Sequence, residues 1–368
     1  MEKVVCLDDI EALALAKLDS CARDYYKSGA DEEVTLGDNR KAFRRLYLRP
    51  RVLTDVSKRN LEVEVLGQKI SFPVGIAPTA MQRMAHPDGE VATCRAAHQA
   101  KTVMILSTIA TTSVEELAKA EPDSIRWFQL YIYRDRSVTQ ALVRRAEASG
   151  FRALVLTVDT PIFGHRRADS RNKFALPPHL RLANFVGDDT KSSGVCKAQS
   201  GSGLNEYASG LFDPSLTWED VRWLRSFTSL PIVIKGILTA EDAIFAVKNG
   251  ADAILVSNHG ARQLDGVPAT VEALPEVVRA VGDRCEVYLD GGVRTGTDVV
   301  KALALGARAV FIGRPVVWGL ACNGQEGVSK VLEILRREVD LALALSGCTS
   351  AAGIPNSIVA RRETYSRM

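Results

Sequence analysis

The sequence predicts a (β/α)8 barrel with an N-terminal helical extension and a long insertion after the fourth strand, and three observations carry the prediction. Eight short apolar runs rich in β-branched residues recur along the 368 residues. Their hydrophobicity is continuous rather than alternating, which marks strands buried on both faces, as in a parallel sheet. Each run is followed by an amphipathic, helix-like stretch, and eight such units in series read as a closed barrel, with a doubly wound sheet as the alternative.

The first 72 residues precede the barrel. They open with "MEKVVCLDDIEALALAKLD", whose acids run through its apolar stretch, so it reads as a helix rather than a secretory signal. The segment "LEVEVLGQKISFP" predicts a hairpin that plugs the bottom of the barrel. Residues 73–345 then carry the eight runs "PVGIAP", "VMILST", "RWFQLYI", "ALVLTVD", "PIVIKG", "DAILVSN", "VYLDGG" and "AVFIGR". Helices are expected over "SVEELAKA", "SVTQALVRRAEASG", "TAEDAIFAVKNG" and "TGTDVVKALALG", with Thr239 and Thr297 as caps and Gly250 and Gly306 as ends. The stretch from 160 to 216 breaks the rhythm with "LPPHLR" and a glycine-serine tract. An insertion of that length reads as a lid or mobile loop with a poorly ordered middle. Residues 346–368 form a C-terminal tail.

Composition excludes several classes. Hydrophobic residues make up 46% and charged residues 25%, close to the soluble globular average, so the chain can fill a large core. A net charge of +3 with scattered arginines argues against nucleic acid. The seven cysteines, 6, 21, 94, 196, 285, 322 and 348, are odd in number and form no CxxC pair, which argues against a disulfide framework and a zinc site. No stretch approaches membrane-spanning length, and the expectation is a soluble, intracellular protein without a metal. The chain ends in Ser366, Arg367 and Met368, a small, basic, hydrophobic tripeptide of the S-K-L type that a peroxisomal import receptor reads.

In a barrel the active site lies at the C-terminal ends of the strands. Those ends are polar here: Thr79, Ser107, Gln129 with Tyr131, Thr157 with Asp159, Lys235, Ser257 with His259 and Arg262, Asp290 with Arg294, and Gly313 with Arg314. One such residue would be an ordinary satisfied strand end, but eight ends converging on one mouth make a site. "LDGGVRTG" and "IGRPV" pair glycines, which let backbone approach a ligand, with a following helix and two arginines, and so predict a phosphate site. No GxxxxGK[ST] or strand-linked GxGxxG is present, so ATP and a Rossmann dinucleotide are not indicated. Lys235 reads as a snorkelling lysine, a Schiff-base nucleophile, or a fixed cation beside a cofactor that gains negative charge. His259, oriented by a carboxylate such as Asp159 and set beside Arg262, reads as a base for proton abstraction from an anionic substrate.

The motifs "SNHGARQLDG", "LDGGVRTGTDV", "IGRPVVWGLA", "PIVIKGI", "FQLYIYRDR", "MQRMAHPDGE" and "DYYKSGADEE" resemble those of the FMN-dependent L-2-hydroxy acid oxidases, most closely the animal glycolate (hydroxyacid) oxidases, over nearly the whole chain. The resemblance implies FMN as cofactor, oxidation of an L-2-hydroxy acid to a 2-oxo acid, O2 as the oxidant yielding hydrogen peroxide, and a homotetramer. It also implies roles. His259 is the base with Asp159 as its partner, Arg166 and Arg262 clamp the substrate carboxylate, and Tyr25 and Tyr131 donate hydroxyl hydrogen bonds to substrate. Lys235 sits near flavin N1. Pro78, Thr79, Ala80, Ser107, Gln129, Thr157 and Ser257 hold the flavin, and the backbone of Asp290, Gly291, Gly292, Val293 and Arg294, with Gly313 and Arg314, holds its phosphate.

One departure concerns the substrate. Where glycolate oxidases typically carry tryptophan after the second strand, this chain reads "LSTIATTS" with Ile109 in that place, which predicts a larger pocket and use of longer hydroxy acids. Three rival readings differ in class: a dehydrogenase passing electrons to a cytochrome or quinone, a Schiff-base aldolase built on Lys235, and a flavin-binding protein without turnover.

Overall fold

The computed structural model describes residues 3–185 and 202–366. All eight apolar runs become strands: β4 (Val74–Ile76), β5 (Met104–Leu106), β6 (Arg126–Leu130), β7 (Leu154–Thr157), β8 (Ile232–Ile237), β9 (Ala253–Val256), β10 (Glu286–Asp290) and β11 (Ala309–Ile312). They close in the order β10-β11-β4-β5-β6-β7-β8-β9. Every pair is parallel, and the closing contact sets Val310 of β11 against Val74 of β4, which rules out the open doubly wound sheet. Closure follows from the burial pattern. β4 to β9 and β11 are buried almost without interruption, so no edge is left for water.

Ahead of the barrel lie α1 (Leu7–Lys17), α2 (Ser20–Lys27), α3 (Val34–Lys41), a short strand β1 (Leu46–Leu48) and the predicted hairpin, β2 (Val63–Val65) and β3 (Gln68–Ile70). The hairpin does close the bottom. Gln68 accepts a hydrogen bond from the indole N–H of Trp127 (3.2 Å) at the start of β6, and Glu286 at the start of β10 accepts from the backbone N–H of Leu66. β1 pairs antiparallel with the late strand β12 (Val359–Arg361).

The expected helices form after their strands. Ser113 and Glu116 make a reciprocal cap on Val114–Ala120, and Thr239 caps Ala240–Lys248, which ends at Gly250 with φ of +93°. The cap of Gly296–Ala304 is Thr295 rather than Thr297. Thr295 has the extended backbone a cap requires (φ −130°, ψ 160°), whereas Thr297 already lies inside the helix. The insertion also departs from expectation. Its described flanks are packed rather than loose, with Phe174 and Phe212 buried against the barrel mouth and a helix at Gly203–Leu211, while the middle of the predicted lid lies outside the described residues.

One buried carboxylate shapes the rim. Glu90, on the helix Gly89–Gln99 that follows β4, accepts from the backbone N–H of Gln82 (3.0 Å) and Thr111 (2.8 Å) and from the hydroxyls of Thr111 and Thr112. It thereby joins the loop after β4 to the loop after β5, and Met81 N–H donates to the carbonyl of Ile109 across the same seam (3.2 Å). Glu90→Ala orphans four donors, each worth about 1 kcal/mol, and is expected to cost about 3 kcal/mol or more in urea unfolding. A loss below about 1 kcal/mol would contradict this role.

Candidate active site

Parallel strands in a closed barrel deliver all their C-terminal ends to one rim, and here those ends surround a single cavity of about 400 Å³. Its lower wall is a belt of buried polar side chains. Ser107 donates to the Gln129 side-chain carbonyl (3.3 Å), and the Gln129 amide donates to Thr157 (3.0 Å). Further round, the Lys235 ammonium donates to Ser257 (3.0 Å) and lies 3.6 Å from the Asp290 carboxylate, whose other oxygen is buried without a partner. With its amine hydrogen-bonded and ion-paired, Lys235 is arranged as a fixed cation.

The polar decapeptide after β9 forms an unusual turn. His259, Gly260 and Ala261 have φ of 58°, 61° and 63°, three consecutive residues in the left-handed region. For His259 and Ala261 that conformation costs about 1 to 2 kcal/mol each. Four hydrogen bonds offset the strain. Ser257 accepts from His259 N–H (3.0 Å), Asn258 accepts from Ala261 N–H (3.1 Å), Arg314 donates to Gly260 O (2.9 Å), and Ala30 N–H donates to Ala261 O (2.8 Å). The turn lifts the His259 ring off the strand line and into the cavity wall.

His259 Nδ1 lies 2.8 Å from Asp159 Oδ1, and Thr160 donates to the same oxygen (2.8 Å). Burial pushes the Asp159 carboxyl up, but His259 and Lys235 outweigh it and hold the group at about 2. An ionised carboxylate only accepts, so Nδ1 carries the proton and Nε2 is the basic nitrogen. Burial also holds the His259 imidazolium below the ordinary 6.5, against the pull of Asp159. The ring is therefore neutral at neutral pH, with a carboxylate placed to stabilise it once protonated.

Two arginines face the same space. The Arg262 guanidinium donates to the carbonyls of Tyr25 and Ser28 and lies 4.7 Å from the Tyr25 ring centre, while its Nη2 is buried without a partner. Arg166 is 2% exposed; burial, followed by the charge of Arg262, draws it down to about 10, so it stays charged. Tyr25 stacks on Phe174 (4.6 Å) and Tyr131 on Phe212 (4.5 Å). Burial raises both phenols, which remain O–H donors.

At the far end, Gly291 and Gly292 have φ of 93° and 86°. A Cβ on Gly292 would meet the carbonyl of Asn39 on α3 at 2.1 Å, so only glycine lets this loop pass under the N-terminal extension. Arg294 is half-buried, its Nε without a hydrogen-bond partner and 4.0 Å from Glu11 Oε2. Arg314 differs from its sequence reading. Its guanidinium donates to Tyr26 O (2.8 Å), Ser28 O (2.9 Å) and Gly260 O (2.9 Å), so what it offers an anion here is the backbone N–H at the start of the helix Arg314–Ser346.

Most of the expected residues line the cavity together: Tyr25, Pro78, Thr79, Ala80, Ser107, Ile109, Gln129, Tyr131, Thr157, Arg166, Lys235, His259, Arg262, Asp290 to Arg294, Gly313 and Arg314. Asp159 and Ser257 stand one layer back, behind His259 and Lys235. Sequence reasoning missed three supports. Gln263 donates to Asp159 O and Ile162 O (both 2.9 Å) and was visible only as the last letter of the His-Gly-x-Arg-Gln string. Asn39 and Asn258 exchange two hydrogen bonds (2.9 and 2.8 Å) across 219 positions, for which no local signal exists. Asp169, 1% exposed, sits behind the arginines.

Comparison with known proteins places this geometry. The model of the FMN-dependent dehydrogenase family matches residues 14–361. The chain is 54% identical to 2-hydroxyacid oxidase 1 of Homo sapiens over 359 residues, covering 98% of this chain and 97% of that one. It is 57% identical to glycolate oxidase 1 of Zea mays over 354 residues, covering 96% and 95%. Among solved structures, mandelate oxidase with (S)-4-hydroxymandelic acid superposes with a TM-score of 0.92 at 43% identity, covering 96% of this chain and 98% of that one.

An NMR titration of the five histidines is expected to place His259 below 6.5, and Asp159→Asn, which removes the charge that raises it, to lower it further. A His259 value above 6.5 in the unmodified protein would contradict the balance of burial over pairing.

Proposed function

This chain belongs to the FMN-dependent dehydrogenase family, and from that premise we propose that its barrel mouth is the active site of a 2-hydroxy-acid oxidase converting L-2-hydroxy acids to 2-oxo acids, with O2 reduced to hydrogen peroxide. The observation that carries the site reading is the neutral, carboxylate-oriented His259 sharing one cavity wall with two arginines, the buried Arg166 and the half-buried Arg262.

The residues present fit FMN. The belt of Ser107, Gln129, Thr157 and Lys235, with the backbone of Pro78 to Ala80 above it, offers donors and acceptors to a flat heteroaromatic ring. The Gly291–Gly292 cradle, Arg294 and the N–H groups beginning the helix Arg314–Ser346 offer an anion site for its phosphate. When bound, FMN supplies the two-electron acceptor and the route to O2.

The chain's own residues do the rest. Arg166 and Arg262 bind the substrate carboxylate, Arg262 with the Nη2 that has no protein partner. Tyr25 and Tyr131 donate from the flanks and fix the carbon that bears the hydroxyl. His259 takes the proton at Nε2, and Asp159 stabilises the resulting imidazolium through Nδ1. Lys235, buried and fixed by Ser257, provides positive charge where negative charge builds on the cofactor wall.

Ile109 lines the cavity at 4% exposure, on a loop that Glu90 holds through Thr111. We propose that this enlarges the substrate range towards longer chains. The Ser366–Met368 tripeptide, whose end lies outside the described residues, supports a peroxisomal destination.

His259→Gln is expected to retain FMN and lose nearly all turnover, since general-base action is worth about 10² to 10⁴ in rate; retention of even a tenth of the rate would sink the assignment. For Ile109, kcat/KM for 2-hydroxyoctanoate should rival that for glycolate, and a preference for glycolate by orders of magnitude would refute the enlarged pocket. Deleting Ser366 to Met368 should leave activity intact and disperse the protein into the cytosol; continued peroxisomal import would count against the signal.

A further inference from the structure

We infer that Asp169 sets the net charge of the substrate-carboxylate clamp and thereby selects monocarboxylates over compact dicarboxylates; this rests on reading Arg166 and Arg262 as that clamp. Asp169 lies on the short helix Arg167–Arg171, three residues after Arg166, and is 1% exposed. Neither of its carboxylate oxygens has a hydrogen-bond partner. Its nearest cation is Arg166, with Nη1 at 4.0 Å, and that side chain is itself 2% exposed. Burial, with the neighbouring Asp24, raises the Asp169 carboxyl above the ordinary 3.8, against the charges of Arg262 and Arg166, which favour the ionised form.

A carboxylate buried without hydrogen bonds is costly, and charge is what holds it in place. The two arginines alone would present two positive charges to one small cavity. Asp169 lowers that to one, the charge a single carboxylate neutralises. Its position is structurally secured: the backbone carbonyl of Asp169 accepts from Phe174 N–H (2.9 Å), and the Phe174 ring carries Tyr25.

The consequence is a discrimination that scales with ligand charge. Every negative charge placed on the clamp is repelled by Asp169, so a monoanion is weakened once and a compact dianion about twice as strongly in free energy. Loss of Asp169 should therefore favour both, and the dianion more. Looser arginine positioning would weaken both ligands, the dianion more, and so would shift their ratio in the opposite direction.

The test uses the purified flavoprotein, as wild type, Asp169→Asn and Asp169→Ser. Acetate and oxalate, which carry no oxidisable hydroxyl, are titrated against the flavin spectrum, and kcat/KM is measured for L-lactate and hydroxymalonate. Either neutral variant is expected to shift the acetate-to-oxalate Kd ratio in favour of oxalate by roughly tenfold, the order expected of one unit charge in a partly buried site. Hydroxymalonate should gain on lactate in the same direction. A ratio unchanged within about twofold would overturn the inference. The wild type alone also tests it: hydroxymalonate should fall at least about tenfold below lactate, and equality would overturn the inference even if neither variant folds. Wild-type flavin that neither acid reduces would refute the oxidase reading instead, and the oxalate and acetate titrations would still decide the role of Asp169.

Discussion

The site depends on one strained turn. His259, Gly260 and Ala261 stand together in the left-handed region, and this is what brings the proposed base out of β9 into the cavity and leaves Arg262 facing the same space. Strain of this kind persists only where surrounding bonds over-determine it. Here the bonds come from four separate parts of the chain: Ser257 and Asn258 beside the turn, Ala30 in the N-terminal extension, Arg314 after the last barrel strand, and Asn39 on α3 through Asn258. The arginine expected to carry phosphate charge is thus committed to holding the His259 turn.

The same bonds make the N-terminal extension part of the site. Arg262 and Arg314 together hold the carbonyls of Tyr25, Tyr26 and Ser28, so the segment that presents Tyr25 is fastened by the residues it works beside. Gly292 lets α3 press directly on the loop after β10, the proposed phosphate loop. Three carboxylates are paired across this assembly: Asp159 with the neutral His259, Asp290 with the Lys235 ammonium, and Asp169 behind Arg166. Each of these three carboxylates lies against a group with a proposed catalytic or binding task, so the wall is pre-organised before any ligand arrives.

The barrel was legible because its signal is redundant. Eight continuous apolar runs cannot be buried on both faces except in a parallel sheet with helices outside, and each run's last residues then fall at the mouth. That logic found His259, Lys235 and Gln129 from chain position alone. Tyr25 and Arg166 came only through the family motifs, because one lies in a helix before the barrel and the other in the insertion, where no strand end marks them. Asn39 and Glu90 were beyond reach for a different reason: their importance lies in long-range hydrogen bonds, and neither periodicity nor motif encodes a partner in another loop. Thr297 was read as the cap that Thr295 provides, because sequence does not fix which threonine adopts the extended backbone. The insertion was read as loose because its length says nothing of Phe174 and Phe212, which anchor its flanks under the tyrosines.

The visible spectrum of the purified protein, recorded without oxygen before and after glycolate and then 2-hydroxyoctanoate, tests the central claim most directly. A flavin spectrum that bleaches with a 2-hydroxy acid and returns when air is admitted is the expected result. A protein that stays colourless after reconstitution with FMN, or whose flavin neither acid bleaches, would contradict the account and return the buried Lys235 to consideration as the reactive group.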